Sequence, residues 1–385
     1  MLNSPTLRVG IVGAGFMGNM HAHAYRSLGF YYDPPPAQIE LAGVSAQSEA
    51  SVAKAKSRWG VSFGTTDFRE LCQRDEIDII HVCVPNHLHH DVLMAALEAG
   101  KHVYMDKPLA RTLVEARAMA DAAAQKPNCI TQMTFQYRFW PAVMRAKQLI
   151  EDGALGRVFS VRAAYLHGGY VDPKRPFSWR LDAEKVGAGG ALYDLGSHVI
   201  DLTRYLLGEF AEVLHQGHTF IDQRPDRDDP NRLHSVFVDD LSLMLLRLKS
   251  GAMGSVESSR VAHGVQDELR FEAHGDKGAI RLNLMQPNFL DYYDGTQAGG
   301  DLGGNRGFQQ IECVSRYPQP AKWPGPKNTI GWERFQIHAI YSFINQVLAR
   351  EPATPDIADG AQTQAVLESA IESAHARKWI DVPTL

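Results

Sequence analysis

The sequence predicts an α/β protein with two domains: an N-terminal doubly wound domain, and a C-terminal α+β domain with a large, mostly antiparallel sheet. Over residues 1–134, short β-branched runs alternate with helix-like segments, as in parallel βαβ units. Over residues 135–385, several runs instead alternate apolar and polar residues, which is typical of antiparallel strands. A chain of 385 residues is also long enough for two domains.

In the first domain, each predicted strand except the last is followed by a predicted helix. The predicted strands are 7–12, 39–44, 77–84, 101–105 and 129–134, and the predicted helices are 17–28, 49–58, 87–99 and 110–124. Helices of this length between strands imply right-handed crossovers in one parallel sheet. We therefore expect ligands at the carboxyl ends of the strands.

The second domain begins with a predicted helix and continues mainly with strands. The predicted helices are 140–151, 191–207, 334–349 and 358–376, and the predicted strands are 158–165, 241–248, 252–260 and 269–273. Residues 295–326 are rich in Gly, Pro and Asn and predict a long loop.

The composition is that of an ordinary globular protein, with 44% hydrophobic and 22% charged residues, which excludes disordered, collagen-like and coiled-coil chains. A net charge of −5 offers no general attraction to nucleic acid or to an anionic membrane. No apolar run approaches the 18 or so residues that a membrane span needs. The four cysteines are scattered, so we expect a reducing, cytoplasmic compartment and no structural zinc.

A glycine-rich turn follows the first predicted strand. Gly13, Gly15 and Gly18 form a G-x-G-x-x-G pattern, with Phe16 and Met17 inside it, and a helix follows. In this context glycines allow a pyrophosphate to approach the backbone and the helix N-terminus. The pattern predicts a dinucleotide-binding Rossmann domain, the alternative being a tight turn with no ligand.

The end of the second strand leaves the choice between NAD and NADP open. An acidic residue there usually binds the ribose hydroxyls of NAD. Here Ser45 is followed by Ala46, Gln47 and Ser48, so the acid is absent. These small residues leave room for the 2′-phosphate of NADP, but no arginine follows directly to bind it.

Another predicted cofactor contact is the turn after the third predicted strand, which contains Pro85, Asn86 and His87. It should border the cofactor because it lies at a carboxyl end of the sheet. His89 and His90 follow at once and suggest a metal as an alternative. Adjacent histidines at the start of a helix diverge, so we predict helix-terminal packing or cofactor contact and no metal.

Two further motifs carry groups suited to acid–base chemistry. Lys107, between Asp106 and Pro108, follows another predicted strand and could bond a substrate oxygen; the alternative is a surface lysine. Asp194 and His198 are four residues apart on a predicted helix and share a face. A histidine there can accept a hydroxyl proton while the carboxylate orients it, although a surface pair or a helix cap gives the same spacing.

Together these motifs resemble those of the glucose-fructose oxidoreductase, inositol dehydrogenase and MocA family, over nearly the whole chain. The carriers are residues 13–18, 85–87, 106–108, and Asp194 with His198, in the family's order. The family more often has Glu where Asp106 stands. Residues 15–18, 85–89, 178–180 and 379–383 are similar to the levoglucosan and inositol dehydrogenase branch.

The resemblance implies hydride transfer from a ring CH–OH group to nicotinamide, with His198 as general base. Lys107 and Asp194 would bond the reacting oxygen and its neighbour. By position, Tyr137, His167, Trp179 and Arg180 would bind ring hydroxyls, and Asp106 and Lys107 would also contact the cofactor. Gln136 stands where relatives often carry Asn, and this departure, together with His167, leaves the substrate open.

The resemblance also bears on the cofactor, the assembly and the competing functions. Relatives whose second strand ends without an acid can use NAD, so NAD is favoured over NADP. The open sheet of the family commonly packs against another subunit, which implies a homo-oligomer such as a tetramer.

Two alternative functions stand beside the dehydrogenase. One is an enzyme that keeps NAD bound and oxidises a sugar transiently for elimination or glycoside cleavage; the other is a non-catalytic nucleotide-sensing regulator.

Overall fold

A computed structural model describes residues 5–385; residues 1–4 of the predicted first domain lie outside the described residues. The chain divides into two compact units, the first made of residues up to Gln136 with Tyr317–Ala361, and the second of Tyr137–Arg316 with Gln362–Leu385. The sequence-based division instead placed residues 317–361 in the second domain. They belong to the first unit because the helix Trp332–Ala349 packs along the helix Phe16–Tyr31.

The strands within residues 5–385 are short and numerous. They are β1 Thr6–Val12, β2 Gln38–Ser45, β3 Phe63–Thr65, β4 Ile79–Val82, β5 His102–Met105, β6 Thr131–Met133, β7 Val158–Leu166, β8 Phe210–His218, β9 Gln223–Pro225, β10 Leu233–Ser235, β11 Leu241–Leu248, β12 Met253–Ser259, β13 Glu268–Gly275, β14 Gly278–Asn283, β15 Phe289–Asp294, β16 Gln309–Glu312 and β17 Ile380–Asp381.

Several helices start at a residue whose side chain caps the helix N-terminus. The helices are α1 Phe16–Tyr31, α2 Glu49–Trp59, α3 Phe68–Cys72, α4 His89–Glu98, α5 Leu113–Ala124, α6 Pro141–Glu151, α7 Ala183–Val186, α8 Ser197–Leu207, α9 Trp332–Ala349 and α10 Ile357–Ala376. The Thr112 side chain accepts a hydrogen bond from the Glu115 amide, a typical N-cap. For this reason α5 starts at Leu113 and not at the expected residue 110.

The first unit contains a six-stranded sheet in the order β3-β2-β1-β4-β5-β6, in which every neighbouring pair is parallel. This is the strand order of a Rossmann fold, and it confirms the predicted doubly wound sheet. Strand β4 is buried along its whole length, as expected for a parallel sheet with helices on both faces. The sequence reading missed β3 and α3, which are only 3 and 5 residues long.

The second unit contains a nine-stranded sheet in the order β16-β15-β14-β13-β7-β12-β11-β8-β17. Only the β7–β12 pair within it is parallel, so the predicted mostly antiparallel sheet is confirmed. Along β11, Met244 and Leu246 are buried, whereas Leu243 and Leu245 are exposed. One face therefore packs on the core and the other is open.

Two of the predicted segments differ from the sequence expectation. The predicted loop 295–326 contains a short helical turn, Asp301–Gly303, and strand β16. The predicted helix 191–207 begins with one π-helical turn, Leu192–Gly196, and continues as α8. π-turns of this kind are frequent at functional sites, and Asp194 lies inside this one.

Candidate active site

The glycine-rich turn is shaped by two close backbone approaches. Gly13 has a φ of +107°, and a Cβ there would lie 2.2 Å from the carbonyl oxygen of Cys83. A Cβ on Gly18 would lie 2.0 Å from the carbonyl oxygen of Gly13. The Gly13 amide donates to the carbonyl of Ser45, at 2.8 Å. A larger residue at Gly13 would thus push the turn away from the end of β4, and one at Gly18 would push α1 away from the Gly13 carbonyl.

The N-terminus of α1 has the form expected of a pyrophosphate site. Its N-cap is Gly15, which supplies no side-chain hydrogen bond, and a Cβ on Gly15 would meet nothing within 4 Å. Phe16 is 72% exposed and stacks on Trp332, with ring centroids 6.1 Å apart. The open approach and the helix-end amides fit the phosphates of a dinucleotide.

At the end of β4, His89 joins two loops that border the sheet edge. Asn86 is buried in a short helical turn, Asn86–Leu88. The ring of the buried His89 contacts the Val84 carbonyl through Nε2, at 2.9 Å, and the Pro108 carbonyl through Nδ1, at 3.0 Å. His90 instead bonds Asp91. The two rings therefore diverge, and the contacts of His89 are packing contacts at the start of α4, one of the two roles expected from the sequence.

The loop after β5 is organised by Asp106. The Asp106 carboxylate accepts hydrogen bonds from the Lys107 amide, at 2.8 Å, and from the Thr134 hydroxyl, at 2.8 Å. These contacts hold the main chain of Lys107 against the end of β6. The Lys107–Pro108 peptide bond is cis.

A cluster of His21, His81 and Cys83 lies beneath this edge of the sheet, with donor atoms within 4.8 Å of one another. The nearest nitrogens, His81 Nε2 and His21 Nδ1, are 2.6 Å apart. That distance is a hydrogen bond, since two nitrogens on one tetrahedral zinc ion lie about 3.3 Å apart. Burial lowers the pKa of both rings. We interpret the cluster as a neutral hydrogen-bonded chain.

In the second unit, the segment that carries Asp194 and His198 is capped by Asp239. The two carboxylate oxygens of Asp239 accept from the amides of Gly190, at 2.7 Å, and Leu192, at 2.9 Å. A Cβ on Gly190 would lie 2.2 Å from the main-chain oxygen of Asp239. The glycine and the buried carboxylate together determine where the π-turn starts.

His198 is 6% exposed and lies among aromatic rings. The Tyr137 ring packs edge-on against it with centroids 5.1 Å apart, and the Tyr165 ring with centroids 5.7 Å apart. Arg138, next to Tyr137, forms a buried ion pair with Asp201, at 2.5 Å. Asp201 and His198 are both on α8, so this ion pair connects the segment that carries Tyr137 to the helix that carries His198.

Asp194 is paired with a buried arginine that the sequence reading did not identify. Arg260 Nη2 donates to the Asp194 carboxylate at 3.0 Å, and Nη1 donates to the carbonyl of Arg180 at 3.1 Å. The Arg260 side chain is 2% exposed and that of Asp194 is 26% exposed. Arg180 stacks over the Trp179 ring at 4.5 Å. Arg260 thus connects two of the predicted sugar-binding residues, Asp194 and Arg180.

A second chain of side chains leads away from Tyr137. The Tyr137 and Tyr165 hydroxyls are 2.6 Å apart, and Tyr165 donates to Asp267 at 2.8 Å. His167 Nε2 donates to the same carboxylate oxygen at 3.0 Å. The sequence reading identified Tyr137 and His167 but missed the residues that link them.

The predicted site residues fall into two groups by unit. The predicted cofactor residues lie in the first unit and the predicted sugar-binding residues other than Lys107 lie in the second. Gly13, Gly15, Phe16, Met17, Gly18, Ser45, Pro85, Asn86, His87, Asp106 and Lys107 make up the first group; Tyr137, His167, Trp179, Arg180, Asp194 and His198 make up the second.

Comparison with known proteins agrees with this division. Residues 7–134 match the family described as "Oxidoreductase family, NAD-binding Rossmann fold", and residues 143–281 match the "GFO/IDH/MocA C-terminal domain". The levoglucosan dehydrogenase of Pseudarthrobacter phenanthrenivorans is 35% identical over 98% of this chain and 99% of its own. The chain belongs to the GFO/IDH/MocA family. The resemblance drawn from the sequence is therefore confirmed, and the protein is an oxidoreductase with an NAD-binding domain.

Other family members are similar over most of the chain. The myo-inositol 2-dehydrogenase of Thermotoga maritima is 28% identical over 71% of this chain and 74% of its own. A solved structure of levoglucosan dehydrogenase with NADH and L-sorbose superposes with a TM-score of 0.93 at 36% identity, covering 99% of this chain and 100% of that one.

Within residues 5–385, no helix has the length and apolar character needed to cross a membrane.

Proposed function

We propose that this protein is an NAD-dependent dehydrogenase that oxidises a ring hydroxyl of a sugar or cyclic polyol. The observation that carries the proposal is the environment of His198, a buried histidine beside Tyr137 and Tyr165 at the start of α8, directly after the π-turn that carries Asp194. A histidine side chain can accept a hydroxyl proton in this kind of reaction. The aromatic walls exclude water, and the polar groups near them match a polyhydroxylated substrate.

The first unit would hold the cofactor. The α1 N-terminus with Gly13, Gly15 and Gly18 would bind the pyrophosphate, Ser45 would lie by the ribose, and Phe16, Met17 and the Pro85–His87 turn would border the rest. When bound, NAD⁺ supplies the hydride acceptor. The non-acidic end of β2 also admits NADP, so both cofactors belong in the assay.

The chain's own residues divide the remaining work. His198 would accept the proton of the reacting hydroxyl. The Lys107 ammonium would donate a hydrogen bond to the reacting oxygen and stabilise its developing negative charge. Asp194, oriented by Arg260, would bond the neighbouring hydroxyl, and Tyr137, His167, Trp179 and Arg180 would bind the other hydroxyls of the ring.

A spectrophotometric screen tests the proposal directly. Purified protein is incubated with NAD⁺ or NADP⁺ and with levoglucosan, the inositols and glucose-type sugars, and reduced cofactor is followed. Levoglucosan comes first because a dehydrogenase named for it is 35% identical. Formation of NADH with at least one of them supports the proposal. Absence of reduced cofactor with all of them would contradict it.

The same preparation distinguishes the two alternative functions. An enzyme that oxidises its sugar only transiently would retain NAD through gel filtration and consume substrate without net NADH. A nucleotide-sensing regulator would bind NAD but would not need His198. Lys107, Asp194 and His198 are all present, which favours the dehydrogenase.

We further propose that the enzyme acts in the cytoplasm as a homo-oligomer, with a tetramer as the leading candidate. The four cysteines are unpaired thiols, which suits a reducing compartment. The open face of the nine-stranded sheet exposes Leu243, Leu245 and Met253, at 48%, 50% and 48%. Apolar side chains on an open sheet favour contact with another subunit, and light scattering of the purified protein tests this.

A further inference from the structure

The direction of the hydrogen bonds around Asp267 follows from what a carboxylate can do. An ionised carboxylate only accepts hydrogen bonds, so the Tyr165 hydroxyl and His167 Nε2 both donate to it, at 2.8 and 3.0 Å. Burial alone would raise the pKa of the Asp267 carboxyl, but the hydrogen bonds from His167 and Tyr165 lower it below its ordinary value. The carboxylate is therefore ionised at neutral pH.

The same rule determines whether the Tyr137 hydroxyl donates or accepts its hydrogen bond with Tyr165. The single hydroxyl proton of Tyr165 is used on Asp267, so in the 2.6 Å contact between the two phenols Tyr137 is the donor. The proton of Tyr137 thus points to Tyr165. What Tyr137 presents to a further partner is its oxygen lone pairs, beside the His198 ring.

His167 is polarised in the same way at the other end of the chain. Its Nε2 carries the proton that is donated to Asp267, so in the neutral ring Nδ1 carries none and is an acceptor. Its side chain is 31% exposed, whereas Tyr137 and Tyr165 are buried. His167 can therefore meet a ligand that approaches from solvent.

We propose that Asp267 is a positioning residue that makes both Tyr137 and His167 hydrogen-bond acceptors, so that this part of the sugar site selects ring positions carrying a free hydroxyl hydrogen. The proposal rests on the proposed function and deepens it. Two acceptors backed by a carboxylate bind O–H groups and repel the oxygens of a phosphate or carboxylate. At the ring positions that these two residues contact, the substrate therefore carries uncharged hydroxyl groups and no phosphate or carboxylate.

Fluorinated substrates test the polarity without changing the protein. A monodeoxyfluoro sugar keeps a weak acceptor at one ring position but cannot donate, and the matching monodeoxy sugar can do neither. With analogues of the screened sugar that is oxidised fastest, we expect the fluoro and deoxy forms to lose affinity alike at one or two positions, by about ten-fold, because a buried acceptor is left unsatisfied. A fluoro form that binds like the hydroxyl form at every position would overturn the proposal.

Variants then assign the effect to Asp267. Asp267→Asn presents an amide that can donate, so we expect the sugar KM to rise about ten-fold, with the KM for NAD⁺ unchanged. Tyr165→Phe cuts the link to Tyr137 and keeps the His167–Asp267 pair, so it should relax the hydroxyl preference at one position only. Asp226→Asn is the matched control, because Asp226 also accepts from a histidine, His234, at 2.7 Å in the same unit. An Asp267→Asn enzyme with wild-type preferences would overturn the proposal.

A measurement that needs no substrate separates this proposal from the proposed function. In protein labelled with ¹⁵N-histidine, the His167 resonances are assigned by their loss in His167→Gln. We expect the Nε2–H tautomer above neutral pH in the wild type, and a change of its ring shifts in Asp267→Asn but not in Asp226→Asn. An Nδ1–H tautomer in the wild type would overturn the polarity argument even if the enzyme oxidises sugars; the expected tautomer in a protein that oxidises no sugar would overturn only the proposed function.

Discussion

Two hydrogen-bonded chains of tyrosine and histidine, one in each unit, use similar residues but end differently. In the first unit the chain is Tyr25–His81–His21–Gln336, with contacts of 3.1, 2.6 and 3.2 Å. It ends on a neutral phenol and a neutral amide, and both imidazoles are fully buried. In the second unit the chain Tyr137–Tyr165–Asp267–His167 contains a carboxylate and reaches half-exposed side chains.

The difference indicates which chain serves structure and which serves chemistry. Burial lowers the pKa of His81 well below its ordinary value, so this ring stays neutral and its two hydrogen bonds hold α1 against β4. A chain with no charge and no opening can position backbone but cannot meet a substrate. A partly exposed carboxylate can determine whether the groups bonded to it donate or accept hydrogen bonds when they meet a substrate.

The largest expected effect comes from removing the proposed base. We expect His198→Asn to lower kcat by a factor of about 10²–10⁴ while the dissociation constant of NADH stays the same. The matched change in the first unit, His81→Asn, should leave the kcat of the folded enzyme close to wild type. Steady-state kinetics and fluorescence titration with NADH measure both quantities. A parallel loss of NADH binding in His198→Asn would indicate a structural role for this histidine.

A smaller effect is expected at the arginine that orients Asp194. Arg260→Met leaves Asp194 without its 3.0 Å partner, so we expect kcat/KM for the sugar to fall about 10–100-fold, because a partly buried carboxylate then lacks its cation. Arg260→Lys keeps the charge and should recover part of the loss. If Arg260→Met and the wild type show equal kcat/KM at equal folded fraction, Asp194 does not need this orientation.

In the first unit the expected effect is on stability. His81→Asn leaves the Tyr25 hydroxyl and His21 Nδ1 short of partners in a fully buried site, so the free energy of unfolding should fall by about 1–3 kcal/mol. Denaturant titration with intrinsic fluorescence measures this change. His90→Asn, at a 35% exposed side chain, is the matched control and should alter stability by less than about 0.5 kcal/mol.

The smallest effect is on the pH dependence of stability. Burial lowers the pKa of His21, His81 and His338 in the folded protein, whereas the unfolded chain binds protons below about pH 6.5. Below that pH the unfolded state holds more protons, so stability falls as pH falls. Each neutral ring contributes a slope of at most about 1.4 kcal/mol per pH unit. His81→Asn should show a shallower decline between pH 7 and pH 5; an identical slope would mean that His81 is protonated in the folded state.

The local motifs of the first unit could be predicted from sequence because they are made by neighbours in the chain. The glycine pattern, the strand ends and the alternation of strands with helices are each defined by residues that are close together in the sequence. A parallel sheet with right-handed crossovers then follows from the rules for βαβ units. The two compact units differ from the predicted domains at α9, because the helix against which α9 packs, α1, is some 300 residues away in the sequence.

The contacts that organise the sugar side could not be predicted in the same way. Arg260 is 66 residues from Asp194, Asp267 is 100 residues from His167, and Asp201 is 63 residues from Arg138. No local pattern joins such pairs, because only the tertiary fold brings them together. The π-turn at Leu192–Gly196 was likewise unexpected, since it depends on the distant cap Asp239.

The short strand β17 has a consequence for handling the chain end. Ile380 and Asp381 pair with Val213 and Glu212 and cover the outer edge of β8. A sheet edge left bare offers unpaired amides and carbonyls to any other strand. Removal of residues 378–385 would therefore expose this edge of β8. We expect such a protein to aggregate more readily while its catalytic activity is still unchanged.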